Sequence, residues 1–350
     1  SPYIPGCKPY RFFWRPDKTI SIFENEQPDV IELGSFFISP WSAFRYREKR
    51  REAGRRCVVS GYFHTDIADA YFAGPLEKAL HWHVINNSET LQAIRDGLTG
   101  AVANTAQAYF GNIFNNCDLV LAASEEQAQR LRDYGVDEVS VIPLGVNANL
   151  FHPDKRDPGI RKEKFDANDG TVVYLYAGRL DDEKEVDVLV DAFAMLENES
   201  PARLVLVGEG PKRRELEKRR GELTGLVVLP YEKDKESYAA LLASADVYVT
   251  AGSHETFGLS VVEAQASGLP VVGVEAGALT ERVTDRIGRL ANPADAASMA
   301  RNMAEVGASR ETMGARSRDH VMENGYDWDS SFQKLADLYR KTLEQQPAAG

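Results

Sequence analysis

Short apolar runs and amphipathic stretches alternate along the second half of the chain. The amphipathic stretches include residues 185–197 and 212–223, which predict helices. Five apolar runs predict strands: "TVVYLYAG" (171–178), "ARLVLVG" (202–208), "LVVLP" (226–230), "ADVYVT" (245–250) and "LPVVGV" (269–274). Continuous runs of Val and Leu separated by helices are typical of a parallel sheet that is covered on both faces. We therefore predict a doubly wound, Rossmann-like α/β domain.

The first half repeats this alternation less completely. Its predicted strands are "DVIEL" (29–33), "CVVSGYFH" (57–64), "CDLVLAAS" (117–124) and "EVSVIPLGV" (138–146). Its predicted helices lie near 40–53, 83–115 and 125–134. The pattern indicates a second Rossmann-like lobe with a parallel sheet.

A segment rich in Pro, Gly and Asn joins the two halves and is the best hinge candidate, "PLGVNANLFHPDKRDPG" (143–159). We predict an N-terminal lobe over 1–146 and a second lobe over 147–325. Residues 326–350 are predicted to form a helix that packs back towards the first lobe, followed by a frayed "QQPAAG" tail. The two lobes are expected to face one another across a cleft.

Composition and charge limit the classes of protein to which the chain can belong. With 350 residues, 43% of them hydrophobic and 27% charged, the chain resembles ordinary soluble proteins of about two domains. A formal net charge of −12 argues against nucleic-acid binding, which needs a basic surplus. The three cysteines, Cys7, Cys57 and Cys117, show neither a disulfide pattern nor a metal-binding one, so a reducing, cytoplasmic setting fits best. Because no apolar run approaches the roughly 20 residues of a membrane span, any membrane contact is expected to be peripheral.

Two glutamates eight positions apart, Glu255 and Glu263, stand in the otherwise small and apolar stretch "HETFGLSVVEAQASGLPVVG". A helix over 257–267, with Gly258 in its first turn, is predicted to start at the carboxyl edge of the sheet, where free N–H groups attract an anion. In one helix the two carboxylates would stand roughly 12 Å apart, whereas paired glycosidase carboxylates are about 5 to 9.5 Å apart. The pair therefore fits two ends of a longer ligand, such as a nucleoside diphosphate sugar whose phosphate meets the helix start.

Cations for such a diphosphate are available at the same edge. Arg179 and Lys184, in "AGRLDDEK", directly follow a predicted strand, and Arg can bind phosphate through two bonds. The next strand ends in "VGEGP", where Gly208 and Gly210 allow a base or ribose to approach the backbone closely. Arg213 occupies the third glycine position of a dinucleotide fingerprint, which argues against a dehydrogenase.

In chain order, "VIPLGV...F.P", "AGRL...EK", "LVGEGP", "ADVYVT" and "ETFGLSVVE" followed by "AQASGLPVV" resemble the retaining glycosyltransferase family 4, from about residue 20 to about residue 340. The resemblance implies the two-lobed GT-B fold. It also implies that Glu255 holds hydroxyls of the transferred sugar and that Glu263 holds the ribose. Arg179 and Lys184 would bind the diphosphate and help the nucleotide to leave.

The same resemblance implies further site residues. In "SGYFHTD", His64 is the candidate for contact with the donor sugar near the reacting carbon, and Asp66 for contact with the acceptor. The "YFHTD" and "ETFG" variants most resemble α-mannosyltransferases and related glycolipid synthases, which favours a hexose donor such as GDP-mannose over other GDP- or UDP-hexoses. The remaining donor-site residues are then Gly208, Gly210, Phe257, Gly258 and Leu259.

The start of the chain departs from that family. Its members begin with a strand, a glycine-rich loop and a helix, whereas this chain opens on "SPYIPGCKPYRFFW" and reaches its first clear strand at Asp29. A strand–helix–strand unit of roughly 30 or more residues is therefore expected to be absent. Because the glycine loop usually lies against donor phosphates and acceptor, activity without that unit is left open.

Three other patterns have simpler interpretations. His81 and His83 are two positions apart, so a helix would not bring them together on one metal. Asp327 and Asp329 spell the D-x-D of metal-dependent transferases of another fold, but they open a helical stretch in which Asp is a good cap. Residues 45–56 hold seven basic and two acidic side chains. A solvated helix face is the default there, and docking on anionic lipid at the inner face of the membrane is the alternative.

Together these patterns predict a GT-B enzyme that moves a hexose from a nucleoside diphosphate to a glycan or lipid-linked acceptor, with retention and without a metal or cofactor. By the resemblance, the leaving phosphate itself assists the acceptor hydroxyl. Two alternatives stay open. A sugar-nucleotide epimerase or a phosphorylase on the same fold would need no acceptor hydroxyl, and a non-catalytic binding protein would bind nucleotide without turnover.

Overall fold

A computed structural model describes residues 15–36, 39–63, 89–196 and 201–346. Internal contacts divide the chain into unit 1, formed by Ser1–Ile142 with Gln333–Gly350, and unit 2, formed by Pro143–Phe332. Each unit is built around its own parallel sheet. The predicted α/β class with two parallel sheets is confirmed.

The sheet of unit 1 has four strands in the order β1-β2-β3-β4, and every described pair is parallel. The strands are β1 (Val30–Leu33), β2 (Val58–Phe63), β3 (Leu119–Ala122) and β4 (Ser140–Val141). The helices are α1 (Pro16–Glu26), α2 (Ser39–Glu52), α3 (Glu89–Asn115) and α4 (Glu125–Asp133). Each strand lies inside the apolar run that predicts it, and β2 and β3 are buried along their whole length.

Helix α1 is not predicted by the sequence pattern. It begins with Pro16 in its first turn, a position that proline favours, and none of its residues is fully buried. Only Phe23 packs, half-buried, against the core of unit 1. Such a helix lacks the broad apolar stripe by which a pattern would reveal it.

The sheet of unit 2 has six strands in the order β10-β9-β8-β5-β6-β7, all parallel. They are β5 (Val172–Ala177), β6 (Ala202–Val207), β7 (Leu226–Leu229), β8 (Val247–Val249), β9 (Val271–Val274) and β10 (Gly288–Ala291). The first five are predicted. Strand β10, with the sequence "GRLA", is missed because it is short and its two central residues are only half-buried.

Strand order gives unit 2 a switch point. From β5 the chain adds β6 and β7 on one side of the sheet, and it then returns to place β8, β9 and β10 on the other. Strands β5 and β8 are therefore neighbours in the sheet, and the chain leaves them towards opposite sides of it. Doubly wound sheets bind ligands at the carboxyl ends of the strands at such a point.

Helices cover this sheet, and short polar side chains begin several of them. Asp234 accepts a hydrogen bond from the Ser237 N–H at 2.8 Å, and Asp295 accepts one from Ser298 N–H at 2.9 Å. The helices of unit 2 are α5 (Pro158–Glu163), α6 (Val186–Leu196), α7 (Arg213–Arg219), α8 (Lys235–Ser244), α9 (Leu259–Ala266), α10 (Leu279–Arg282), α11 (Ala296–Ala308) and α12 (Arg310–Glu323). A last helix, α13 (Trp328–Gln345), begins in unit 2 and continues into unit 1.

Residues that follow Phe332 belong to unit 1. There the Tyr339 hydroxyl donates to Glu32 at 2.5 Å, and the Gln346 amide pairs with the backbone N–H and C=O of Cys57 at 3.1 and 2.9 Å. The two Gln346 bonds satisfy the backbone groups of Cys57, directly before β2. Within the described ranges, no helix is both long enough and apolar enough to cross a bilayer.

Candidate functional site

A cavity of about 730 Å³ lies in unit 2 at the carboxyl ends of β5, β6 and β7. Arg179 follows β5, Glu209 follows β6 and Tyr231 follows β7, and all three line the cavity. Helix α9, which follows β8, adds Leu259 and Glu263 to the lining. The switch point thus brings together three of the predicted site residues, Arg179, Leu259 and Glu263, around one ligand-sized space.

Glu263 is a half-buried carboxylate with one hydrogen-bond donor. The hydroxyl of Tyr238, on α8, donates to its Oε2 at 3.1 Å. Burial raises the pKa of Glu263 to about 7, while the bond from Tyr238 and the nearby Lys235 ammonium act in the lowering direction. A carboxylate of this kind can accept hydroxyl hydrogen bonds from a ligand in the cavity, and it does so best when ionised.

This raised pKa predicts how stability depends on pH. The folded protein keeps the Glu263 proton up to about pH 7, whereas an ordinary carboxyl releases it near 4.5. Stability from this group is therefore fully present below the ordinary value and is lost as pH rises through about 7. We expect Glu263→Gln to remove that part of the decline in urea-unfolding free energy between about pH 5 and pH 8. Glu236→Gln, an exposed carboxylate on α8, is the matched control. Equal pH dependence in wild type and Glu263→Gln would contradict the assignment.

Arg179 lies on the exposed loop after β5. Its guanidinium pairs with Asp181 and, at 2.7 Å, with Glu183. The Glu183 hydrogen bond raises the pKa of Arg179, so the group stays charged. Its backbone oxygen accepts a hydrogen bond from Tyr176 at 2.8 Å, which fixes the loop at the end of the strand. A phosphate that enters the cavity would compete with two carboxylates for this cation.

The other two predicted catalytic residues of unit 2 contact one another. Lys184 Nζ lies 2.5 Å from Glu255 Oε1, and the two side chains are only 16% and 17% exposed. Beside this pair, Ser253 Oγ donates to Glu185 at 2.8 Å. Two bonds therefore join the loop after β5 to the loop before α9. Lys184 and Glu255 are not among the residues that line the cavity.

The start of α9 differs from the prediction. The helix begins at Leu259, and Gly258 is its N-cap with φ of 78°, so the predicted start at 257 with Gly258 in the first turn is wrong. The reason is the left-handed backbone of Gly258, which a helical turn excludes. Glu255 consequently lies in a loop, and the roughly 12 Å separation expected for a fully helical segment does not apply. The predicted end at "SGLP" is confirmed, with Ser267 as the C-cap.

Two flanking residues of this helix start have different surroundings. Phe257 is buried, and its ring lies 4.5 Å from the guanidinium carbon of Arg282. Arg282 also stacks on Tyr326 at 4.6 Å. Leu259 is 40% exposed and faces the cavity. Of the three predicted helix-start residues, only Leu259 contributes to the cavity lining.

The predicted glycines pack against backbone. A Cβ atom on Gly208 would lie 1.9 Å from the Gly178 oxygen, and one on Gly210 would lie 2.2 Å from the Leu180 oxygen. Neither distance is compatible with a side chain, so packing alone explains both glycines. Arg213, in the third glycine position, donates to the oxygens of Gly208 and Leu229 at 2.8 and 3.0 Å. Contact of Gly208 and Gly210 with a donor stays a prediction.

Four aromatic residues of the described ranges line the cavity, and the sequence patterns miss two of them, Tyr238 and Trp328, as site residues. Tyr238 approaches the cavity from α8, and Phe151 packs edge-on against it with ring centroids 5.8 Å apart. Tyr231 is 62% exposed at the end of β7, and Trp328 is 38% exposed at the start of α13. Tyr238 and Trp328 belong to none of the motifs that carry the family resemblance, and the fold brings them to the cavity.

The remaining predicted residues are the histidines and the aspartate of the first half of the chain and the aspartates near its end. His64 and Asp66, like His81 and His83, lie outside the described residues. Asp327 accepts a hydrogen bond from the Ser330 N–H at 2.9 Å, which is the capping role expected for it. No cluster of His, Cys, Asp and Glu suited to a metal ion occurs in the part of the chain that the structure describes.

The basic segment 45–56 is largely paired inside unit 1. Arg47 and Arg51 bind Asp118 at 3.1 and 2.6 Å, and Arg50 binds Asp29 at 2.5 Å. Lys49 binds Glu24 at 2.5 Å. These partners reduce the positive charge available to a lipid surface. Contact of this segment with an anionic membrane stays a prediction.

Both halves of the chain match known families. Residues 159–328 match the family described as Glycosyl transferases group 1, and residues 1–150 match Glycosyltransferase Family 4. The Anabaena protein Alr3699/HepE, solved in complex with UDP, has a TM-score of 0.71 at 18% identity, over 93% of this chain and 82% of that chain. At this identity the structural match shows the fold.

Two curated relatives match at higher identity. The GDP-mannose-dependent alpha-(1-6)-phosphatidylinositol dimannoside mannosyltransferase of Mycobacterium tuberculosis is 37% identical over 180 residues, 51% of this chain and 46% of that protein. The GDP-mannose-dependent alpha-mannosyltransferase of Corynebacterium glutamicum is 29% identical over 274 residues, 77% of this chain and 56% of that protein. The chain thus spans about half the length of these relatives.

Proposed function

Because the chain belongs to the glycosyltransferases of the GT-B fold, we propose that it moves a hexose from a nucleoside diphosphate sugar to a hydroxyl of a glycan or glycolipid. The observation that carries this proposal is the cavity at the switch point of unit 2, which unites Arg179 with Glu263. One group offers a permanent positive charge for phosphate and the other an acceptor for ribose hydroxyls. No part of the proposal depends on the relative placement of the two units.

For the donor, we propose GDP-mannose. Both curated relatives are named as GDP-mannose-dependent mannosyltransferases, and one acts on a phosphatidylinositol dimannoside by its name. The latter name supports a lipid-linked acceptor. The structurally similar Anabaena protein Alr3699/HepE is solved in complex with UDP. UDP-hexoses are therefore the donors to compare with GDP-mannose.

In this proposal, four residues bind different parts of the donor. Arg179 binds the diphosphate through its guanidinium, and Glu263 accepts a hydrogen bond from the ribose. Lys184 stabilises the charge that develops on the leaving diphosphate, and Glu255 accepts hydrogen bonds from the transferred sugar. Lys184 and Glu255 form an ion pair with each other. Both side chains must therefore loosen this contact in order to bind the donor.

Transfer is proposed to retain the anomeric configuration. The bond from the anomeric carbon to the diphosphate oxygen breaks, and the acceptor oxygen bonds to the same face of that carbon. The acceptor proton passes to the leaving phosphate oxygen, so atoms and charge balance without a further base. Arg179 and Lys184 neutralise the diphosphate, and the reaction therefore needs no metal ion.

Turnover tests this proposal directly. The chain is incubated with GDP-mannose, UDP-glucose or UDP-galactose and a lipid extract, and products are followed by mass spectrometry and by release of nucleoside diphosphate. We expect GDP release with a product heavier than its acceptor by one hexose, and we expect the rate to survive EDTA. Conversion of the sugar without an acceptor would favour an epimerase or a phosphorylase. Loss of the rate in EDTA, restored by manganese, would contradict the metal-free mechanism.

A further inference from the structure

Tyr238 contacts the candidate ribose-binding carboxylate and lies outside every sequence motif of the site. Its hydroxyl donates to Glu263 Oε2 at 3.1 Å, and it lines the same cavity as Glu263. Within the described residues, Glu263 accepts no other side-chain or backbone hydrogen bond at its carboxylate. The edge-on ring of Phe151 packs against the Tyr238 ring and restricts its movement.

We infer that Tyr238 is a positioning residue for Glu263: by binding one carboxylate oxygen, it holds the other ready for a ribose hydroxyl. This inference rests on the proposed donor site. A glutamate side chain on a helix has three rotatable bonds, and burial without a partner would favour rotation towards water or protonation. The Tyr238 hydroxyl opposes both, because it donates a hydrogen bond that the ionised carboxylate accepts more strongly than the neutral acid.

Burial and the polar groups around Glu263 act on its pKa in opposite directions. Burial raises its pKa to about 7, and Tyr238 and Lys235, both on α8, oppose this rise. From β8, Tyr248 donates its hydroxyl to the Ala177 oxygen at 3.0 Å, and burial raises its pKa, so it stays neutral. Arg179 shares the cavity but is paired with carboxylates on its own loop. Removal of the Tyr238 hydroxyl should therefore let Glu263 keep its proton to a higher pH.

The test is calorimetric titration of the full chain with GDP and with UDP between about pH 6 and pH 8.5. We expect wild-type affinity to fall below about pH 7. In Tyr238→Phe this fall should begin at higher pH, with about 3- to 10-fold weaker binding at pH 7 and a smaller difference at pH 8.5. Titration of the nucleotide phosphate is common to all variants and cancels in the comparison.

Two further variants separate positioning from general stability. Tyr174→Phe is the matched control, because the Tyr174 hydroxyl is also buried and donates to the Met303 oxygen at 2.9 Å, yet it does not line the cavity. It should lose stability without changing the pH profile of binding. In Glu263→Gln, which cannot ionise, addition of Tyr238→Phe should weaken binding by less than about twofold. A 2′,3′-dideoxynucleoside diphosphate should bind wild type and Tyr238→Phe equally.

The outcomes distinguish failure of the inference about Tyr238 from failure of the proposed donor site. If wild type binds GDP or UDP normally and Tyr238→Phe shows the wild-type pH profile, or a uniform loss at all pH values, the inference is overturned and the donor site stands. If wild type binds neither nucleotide, the donor site fails and the inference with it.

Discussion

Glu255→Gln should lower kcat by about 100- to 1000-fold and change the affinity for GDP or UDP by less than about threefold. The substitution keeps the volume of the side chain and removes the charge that we assign to the transferred sugar. Because Glu255 contacts sugar and not nucleotide in this proposal, the loss should appear in the chemical step. Initial rates at saturating donor and calorimetric titration of the nucleotide measure the two quantities separately.

Glu236→Gln is the matched control for this prediction. Glu236 is an exposed carboxylate that pairs with Lys155, outside the candidate site. It should leave both kcat and nucleotide affinity near wild type. Equal losses of kcat and nucleotide affinity in Glu255→Gln would contradict the division of roles between Glu255 and Glu263, and an unchanged kcat would remove Glu255 from the reaction.

Lys184→Met should have two effects of different origin. It removes a cation that we assign to the leaving diphosphate, so kcat/KM should fall at least about 100-fold. It also leaves Glu255, only 17% exposed, without its cation, and the free energy of unfolding should fall by about 3 kcal/mol. Steady-state kinetics and urea unfolding measure these effects independently.

The double variant Lys184→Met with Glu255→Gln separates the loss of activity from the loss of stability. It leaves no unpaired buried charge, so most of the lost stability should return while activity stays low. Recovery of activity together with stability would mean that the Lys184–Glu255 pair is structural only. A double variant as unstable as Lys184→Met would contradict the account of the pair.

The strands and the place of the site follow from simple periodicity. Buried parallel strands are continuous apolar runs, and β5 to β9 lie within the runs that predict them. The ends of such strands meet at one edge, and this rule alone brings Arg179 and Glu263 to one cavity. What periodicity cannot reveal is an element without an apolar stripe, such as α1, or a half-buried edge strand such as β10.

Details of the site depend on tertiary contacts that no local pattern encodes. The Lys184–Glu255 bond joins residues 71 positions apart, and the Tyr238–Glu263 bond joins residues 25 apart. Gly208 and Gly210 illustrate a second limit, because packing against the neighbouring backbone requires glycine there whether or not a ligand also approaches. The sequence predicts the start of α9 two residues too early, because its capping residue, Gly258, takes a backbone conformation that its sequence position alone does not indicate.

The central claim is that the cavity of unit 2 binds the nucleoside diphosphate of a sugar donor, and calorimetric titration at about pH 8 tests it most directly. GDP or UDP, but not NAD, should bind, and Arg179→Ala and Glu263→Gln should each weaken that binding by about 1.5 to 3 kcal/mol through loss of a charge-assisted bond. The free nucleoside should bind weakly and equally to wild type and Arg179→Ala, since it offers this side chain no phosphate. Absence of binding by both diphosphates at millimolar concentration, or wild-type affinity in both variants, would contradict the claim.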